Sequence, residues 1–335
     1  MSVNKTFPMA AAVLAAYDAG EEDEALEPIT RVDGSGQPMG RIQDGDYVIF
    51  YDIRGEREIE LTSAFVSPDF PHFPRENMKV NFATMIEYAK DLPVKVAFPP
   101  LGTVQNTLSD VVSQQNLKQV KITESEKAIH VSYFLNGKQE GTLPGEDRLI
   151  IPSPEVVNYA KVPEMHAEKV ADAVVKAIKN PEYQLIVVNF VNVDVVGHIE
   201  DKQAVIQAVQ AVDGSVGRVV AAAQKYGVTP IVTADHGTVE KWLYPDGTVD
   251  TGHSDSPIPF ILADPQLSDV ALQTGDALTD VAPTILRLMN LPIPAEMTGH
   301  CLVPDHVVGE SRRVLLVIAD GWGIREDSYG NMIKA

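Results

Sequence analysis

A single cysteine, Cys301, stands in the whole sequence, so no internal disulfide framework can form, and such usage fits a reducing compartment. Positive charge is scarce as well. Against 47 Asp and Glu there are 27 Lys and Arg, which leaves a net charge of −20. That balance argues against non-specific nucleic-acid binding, which needs a basic surface. It also means that an anionic substrate must be met by a local cluster of Arg and Lys, working against the overall field. No apolar run reaches the length of a membrane span. The opening "MSVNKTFPMAAAVLAAYDAG" has a short apolar stretch but no cleavage-like site, and acidic residues follow it, so no secretory signal is expected there. Together these absences lead us to expect a cytoplasmic globular protein. At 335 residues, with 44% hydrophobic and 22% charged content, the chain is long enough for two domains with separate cores.

The patterning divides near residue 150. Before it, strand-like runs occur at "DYVIFYDI" (46–53), "VKVAFPP" (94–100), "QVKITE" (119–124) and "IHVSYFLNGK" (129–138). The last carries Asn136-Gly137, a hairpin signal. Helical patterns, "FPMAAAVLAAYDAG" and "NFATMIEYAKDL", fall among them. Residues 1–150 therefore read as one α/β or α+β domain, and the proline-punctuated stretch 151–166 as a linker. From 167 to 335 the alternation sharpens: helix "AEKVADAVVKAIKN", apolar strand "YQLIVVNFVN", a long helix ending at Gly227, strands "VTPIVTA" and "IPFILA", helix "LTDVAPTILRLMN", and strand "VLLVIA". Strand–helix alternation of this kind implies an α/β fold, a mostly parallel sheet with helices on both faces.

Sites in open α/β sheets form beyond the carboxyl ends of the strands. There the sequence places Asp194 and His198 after "LIVVNFVN", Asp235 and His236 after "PIVTA", and Asp320 after "VLLVIA". His253 lies just ahead of "IPFILA". An Asp just past a strand is by itself more often a turn former or helix cap, and a lone loop His more often a surface group. Neither accounts for three Asp and three His gathering at one edge of one sheet. Carboxylate and imidazole together suit divalent ions such as Mn²⁺ or Zn²⁺, and two ions roughly 3.5–4 Å apart clamp a phosphoryl group.

These stretches, "NFVNVDVVGH", "TADHGTVE", "DTGHSDSPIPFIL", "TDVAPTILRLMNLPIPAEMTGHCL" and "DGWGIREDSYGN", resemble the alkaline-phosphatase superfamily and, more narrowly, the cofactor-independent phosphoglycerate mutases. "GDYVIFYDIRGERE", "VAFPP", "NTLSDVVS" and "ITESEKAIHVSYFLNGKQEGTLPGEDRLIIPSP" are similar to the substrate-side (transferase-type) domain of those enzymes. The resemblance implies two Mn²⁺ ions, or other divalent ions such as Zn²⁺ or Co²⁺. It gives one to Asp194, His198 and His253, and the other to Asp320, Asp235 and His236. Arg54 and Arg57 would bind substrate carboxylate or phosphate, and Lys127 would sit near the transferring phosphate. The spacing of the Arg pair beside Glu56 and Glu58 is, taken alone, that of a solvated face. The implied reaction is the interconversion of 3- and 2-phosphoglycerate through a metal-activated phosphoserine.

In the resembled family the "DGWG" strand comes first and the serine segment follows it. Here "DGWG" stands last, joined through "DHVVGESRR", the order of a circular permutation. No serine matches the family's nucleophile motif; neither Ser328 in "REDSYGN" nor Ser254 beside His253 does. The expectation is therefore a partial substrate domain (1–150) and a metal domain (167–335), completed by a second polypeptide or by further sequence carrying the serine. The alternatives are a stand-alone metal-dependent phosphohydrolase and a non-catalytic remnant. The small-molecule phosphoglycerate is the expected ligand, with no nucleic acid and no membrane.

Overall fold

The computed structural model describes residues 7–21, 26–53, 58–100, 102–274, 277–304, 307 and 311–335. The chain forms two compact units, Met1–Leu101 and Gly102–Ala335. The first carries helices α1 (Pro8–Asp18) and α2 (Glu58–Val66) and strands β1 (Tyr47–Phe50), β2 (Asn81–Ile86) and β3 (Lys95–Phe98). Its strands form a parallel sheet in the order β1-β2-β3. One face of that sheet packs aromatic edges together, Phe50 on Phe82 and Tyr88, with Phe65 of α2 against Phe82. The helical reading of 81–92 is corrected here. Phe82 and Thr84 are buried at alternate positions of β2, which is hydrogen-bonded on both sides, so strand pairing overrides the helix-like spacing.

The second unit is built on a six-stranded sheet of β4 (Lys118–Glu124), β5 (Glu146–Ile151), β6 (Tyr183–Phe190), β7 (Val228–Thr233), β8 (Phe260–Leu262) and β9 (Arg313–Ala319), in the order β5-β4-β6-β9-β7-β8. All neighbours are parallel except β8, which runs antiparallel to β7 at the edge. The expected boundary near 150 is thus displaced, because β4 and β5 belong to this sheet. They are joined through a short π-helical turn, His130–Phe134, instead of a long amphipathic helix, so the strand–helix rhythm that marks the rest of the unit is hidden there. That turn also replaces the expected strand at 129–138. Gly137, at φ +66°, keeps its tight-turn role, since a Cβ there would meet the Val104 carbonyl and the Thr107 side chain. The stretch 151–166 is likewise part of the second unit. It is tied down by the His166 N–H on Glu124 Oε1 (2.9 Å) and by Asn192 Nδ2 on the carbonyls of Pro163 and Glu164 (3.1 and 2.8 Å).

Helices cover both faces of this sheet. α4 (Ala167–Lys179), α5 (Asn192–Gly197) and α6 (Lys202–Lys225) pack Val170, Val174, Val205 and Val212 against Val120, Ile186, Val188 and Val317. On the other face α3 (Leu108–Gln114) and α7 (Val281–Leu288) pack Val111, Val112, Ile285 and Leu286 against Leu185, Val187, Ile231 and Leu316. Caps fix where two of these helices begin: Thr107 and Asp110 form a reciprocal box for α3, and Asp201 accepts from the first-turn amides of α6. β9 sits between β6 and β7, paired in register with both from Val314 onward, as its unbroken apolar run leads one to expect. No helix among the described residues is long and apolar enough to cross a membrane.

Candidate metal centre

Four parallel strands deliver side chains to one edge. β6 runs into α5, which offers Asp194 in its first turn and His198 at its C-cap. β7 is followed by Asp235 and His236, β9 by Asp320, and β4 by a 3-10 turn that carries Lys127. His253 comes from the loop ahead of β8. All seven come together in the fold.

Asp194 lies at the middle. Its Oδ1 has the Nε2 atoms of His198 and His253 at 3.2 Å each and that of His236 at 3.7 Å. Yet this buried oxygen accepts no aligned hydrogen bond. The other oxygen takes the Lys127 ammonium at 2.7 Å, and the same ammonium reaches Asp320 Oδ1 at 3.0 Å. Asp320 Oδ1 is 3.7 Å from His236 Nε2, and its Oδ2 accepts from Asn189 Nδ2 at 2.7 Å. The His236 and His253 rings stack with centroids 3.7 Å apart. Two sets of ligand atoms fall within 4.8 Å of one another, Asp194–His198–His253 and Asp194–His236–Asp320. Asp194 thus belongs to both sets. Asp235, given to the second set by the sequence, stands beside it, with Oδ2 3.4 Å from His236 Nε2 and Oδ1 accepting the Gly321 N–H at 3.3 Å.

The electrostatics follow from burial and sign. Burial opposes ionisation of Asp194, but the His198 imidazole and Lys127 ammonium outweigh it and hold its carboxyl well below the usual range. Burial also works against the Lys127 charge, and Asp320 and Asp194 overcome it, leaving the ammonium more basic than usual. Asp320 goes the other way. Fully buried beside the carboxylates of Asp235 and Asp194, it is pushed up to about 7. His198 is raised by the Asp194 carboxylate 3.2 Å away, whereas burial and the neighbouring His236 lower His253. Carboxylate oxygens and imidazole nitrogens that face one another without a shared proton are the donor set of a divalent cation, so these residues fit one.

Two contributors escape sequence reasoning. Asn189 orients Asp320 from inside β6, and the signal for it is a lone amide in the apolar run "LIVVNF". Glu240, wholly buried, accepts from the Thr238 and Gly323 amides (3.0 and 3.2 Å) and from the Ser254 hydroxyl, which ties the loops after β7 and β9 together. The glycines of "DGWG" make this possible: a Cβ on Gly323 would strike the Glu240 carboxylate, and one on Gly321 (φ +82°) would strike the Asp194 backbone. Arg54 and Arg57 lie outside the described residues.

The model of the metalloenzyme superfamily matches residues 25–293. The chain belongs to that superfamily. The chain is 42% identical over 296 residues to the 2,3-bisphosphoglycerate-independent phosphoglycerate mutase of Moorella thermoacetica, covering 87% of this chain and 56% of that protein. With the mutase of Thermomicrobium roseum the identity is 43% over 309 residues, 89% of this chain and 58% of the relative. Among solved structures it is similar to Leishmania mexicana phosphoglycerate mutase determined at low cobalt concentration, with a TM-score of 0.65 and 31% identity over 82% of this chain and 53% of that one. The chain therefore spans little more than half the length of these relatives.

Proposed function

We propose that this metalloenzyme is the metal-bearing part of a 2,3-bisphosphoglycerate-independent phosphoglycerate mutase, working in the cytoplasm on 3- and 2-phosphoglycerate. A second polypeptide supplies the nucleophilic serine and the rest of the substrate domain. The observation that carries the reading is Lys127, set between Asp194 and Asp320 at 2.7 and 3.0 Å, inside a carboxylate–imidazole cluster and within the "TESEKAIHVSYFLNG" stretch. The names of the relatives support the same reaction.

Asp194, His198 and His253 would hold one Mn²⁺, and Asp320, Asp235 and His236 the other, with Zn²⁺ or Co²⁺ as substitutes. Such ions supply Lewis-acid polarisation of a phosphoryl oxygen. The chain's own groups prepare the place for it. Asp194 is kept ionised, so it offers charge at neutral pH. Asn189 fixes the Asp320 carboxylate from one side while Lys127 fixes it from the other. The Lys127 ammonium, held protonated, is placed to meet an anionic phosphoryl oxygen. Arg54 and Arg57 are proposed to bind the substrate's carboxylate or phosphate, a task for which a guanidinium fork is suited. The circular order is part of the proposal as well. A strand seated between β6 and β7 serves the same site whichever end of a chain delivers it, which supports the permutation.

Complementation tests the reading. The purified chain alone should not interconvert the phosphoglycerates. Adding a polypeptide that spans the unmatched part of the Moorella thermoacetica mutase should produce Mn²⁺-dependent turnover, and Asp320→Asn should lower it by about two orders of magnitude or more. Robust turnover by the chain alone would place the nucleophile within it and refute the partner. Hydrolysis of a generic phosphate ester without mutase turnover would favour a phosphohydrolase instead.

A further inference from the structure

The first unit has an unusually poor core. Of its described hydrophobic side chains only Phe82 and Tyr88 are fully buried. Its sheet is parallel, and parallel sheets are stable when both faces are covered. One face is: Phe50 and Phe82 pack there, and the Tyr88 hydroxyl donates to the Asp52 carbonyl at 2.6 Å. The alternate positions on β1 and its extension point the other way and are exposed among the described residues. Tyr47 is 81% exposed, Ile49 73%, Tyr51 80% and Ile53 71%. α1, too, is an alanine-rich helix with no buried residue. Four large apolar groups in a row, alternating with half-buried ones, form a contiguous patch of the kind that marks an interaction site.

We infer that the Tyr47–Ile49–Tyr51–Ile53 face of the first unit is the docking surface for the complementing polypeptide, which covers it with an amphipathic helical layer. This rests on the reading of a two-piece mutase and says where the pieces join. Two arguments select that occupant over a second copy of this chain. The relatives carry nearly half their length beyond what this chain matches, which is ample for a covering layer. A second copy would bring the same bare face, and it would bring it on a body of charge −20, so like charges would oppose the pairing. Closing the face buries tyrosine and isoleucine against helix side chains, the apolar anchors typical of an interface centre.

The test uses the full chain with the unmatched part of the Moorella thermoacetica mutase as probe, co-expressed so that neither piece need fold alone. Ile49→Asp should weaken the complex at least tenfold while leaving the buried Tyr88 resistant to nitration, which shows that the first unit of the variant is folded. Nitration by tetranitromethane gives a second readout. In the chain alone Tyr47 and Tyr51 should react and the buried Tyr88 should not; in the complex Tyr47 and Tyr51 should be protected. The inference is overturned by failure to form a complex on co-expression, or by a complex that Ile49→Asp leaves intact and in which both tyrosines still react. It is overturned too if both are protected in the chain alone, or if the chain alone forms a dimer that Ile49→Asp dissociates. A sensitive, protected complex without mutase turnover would count against the activity and not against the surface.

Discussion

Asp320 shows how much one side chain in this centre depends on the others. Burial and two neighbouring carboxylates push its pKa up to about 7, so below that pH it holds a proton that a divalent ion must displace. Mn²⁺ affinity should therefore fall about tenfold for each pH unit below about 7, and level off above it. Asn189 accepts no such compromise, since its amide donates to Asp320 Oδ2 at 2.7 Å and fixes the carboxylate's orientation. Asn189→Ala should cost about 10–100-fold in Mn²⁺ affinity, the usual effect of losing a group that orients a ligand. Calorimetric titration from pH 5.5 to 8 checks both. The convergence of the six residues proposed as ligands was legible because each follows or flanks an apolar strand. Asn189 was not, because a single amide in a buried run has the same appearance whether it serves packing or a carboxylate.

The pairing of β4 with β5 depends on a buried charge that neither strand reveals alone. Lys121 and Glu146, both fully buried, lie 3.3 Å apart, and Asn136 bridges them, accepting from Lys121 and donating to Glu146 at 2.8 Å. Arg148 donates to the same Glu146 at 2.6 Å. Burial, only partly offset by Glu146, lowers Lys121 to about 8. A lysine whose folded value lies below its unfolded one gives up its proton more readily when folded. It thus adds stability above the unfolded value and loses that contribution as pH falls through the folded one. Glu146→Gln would leave the ammonium without its carboxylate and should destabilise by about 3–5 kcal/mol. That loss should be greatest near pH 6.5 and should shrink as pH rises beyond about 8 and the lysine sheds its proton. Urea unfolding at pH 6.5 and 9.5 would show it. The same strands explain the misplaced boundary. With only a 3-10 turn and a π-helical turn between them, no amphipathic helix announces a βαβ unit, and such short turns leave little periodicity to read.

Two compact units on one chain, with the candidate centre entirely in Gly102–Ala335, predict a particular response to metal. Differential scanning calorimetry should resolve two transitions, and Mn²⁺ should raise only the one belonging to the second unit. At a hundredfold excess over its dissociation constant the ion adds about 2.7 kcal/mol, or about 5–10 °C for a unit of this size. EDTA should reverse the shift. A chain of net charge −20 has a further reason to respond, because divalent cations relieve part of its self-repulsion. Raising NaCl in place of Mn²⁺ should move both transitions by a smaller and similar amount, which separates binding from screening.

The apolar strand runs, the helix stops and the residues at strand ends were set by local pattern, and so the α/β class and the metal-type donor set could be read directly. Local pattern acts over one element, where period and capping decide. Three things needed the tertiary structure. The central seating of the last strand was legible in its apolar run, but its pairing with both β6 and β7, and the register of each pair, is a choice among neighbours far away in sequence. The placement of Asp194 Oδ1 under three imidazoles arises only when three segments converge: α5, the loop after β7 and the loop ahead of β8. The bare face of β1 is invisible in a sequence that alternates as any half-buried strand does, because alternation records which side chains share a face and not what covers it.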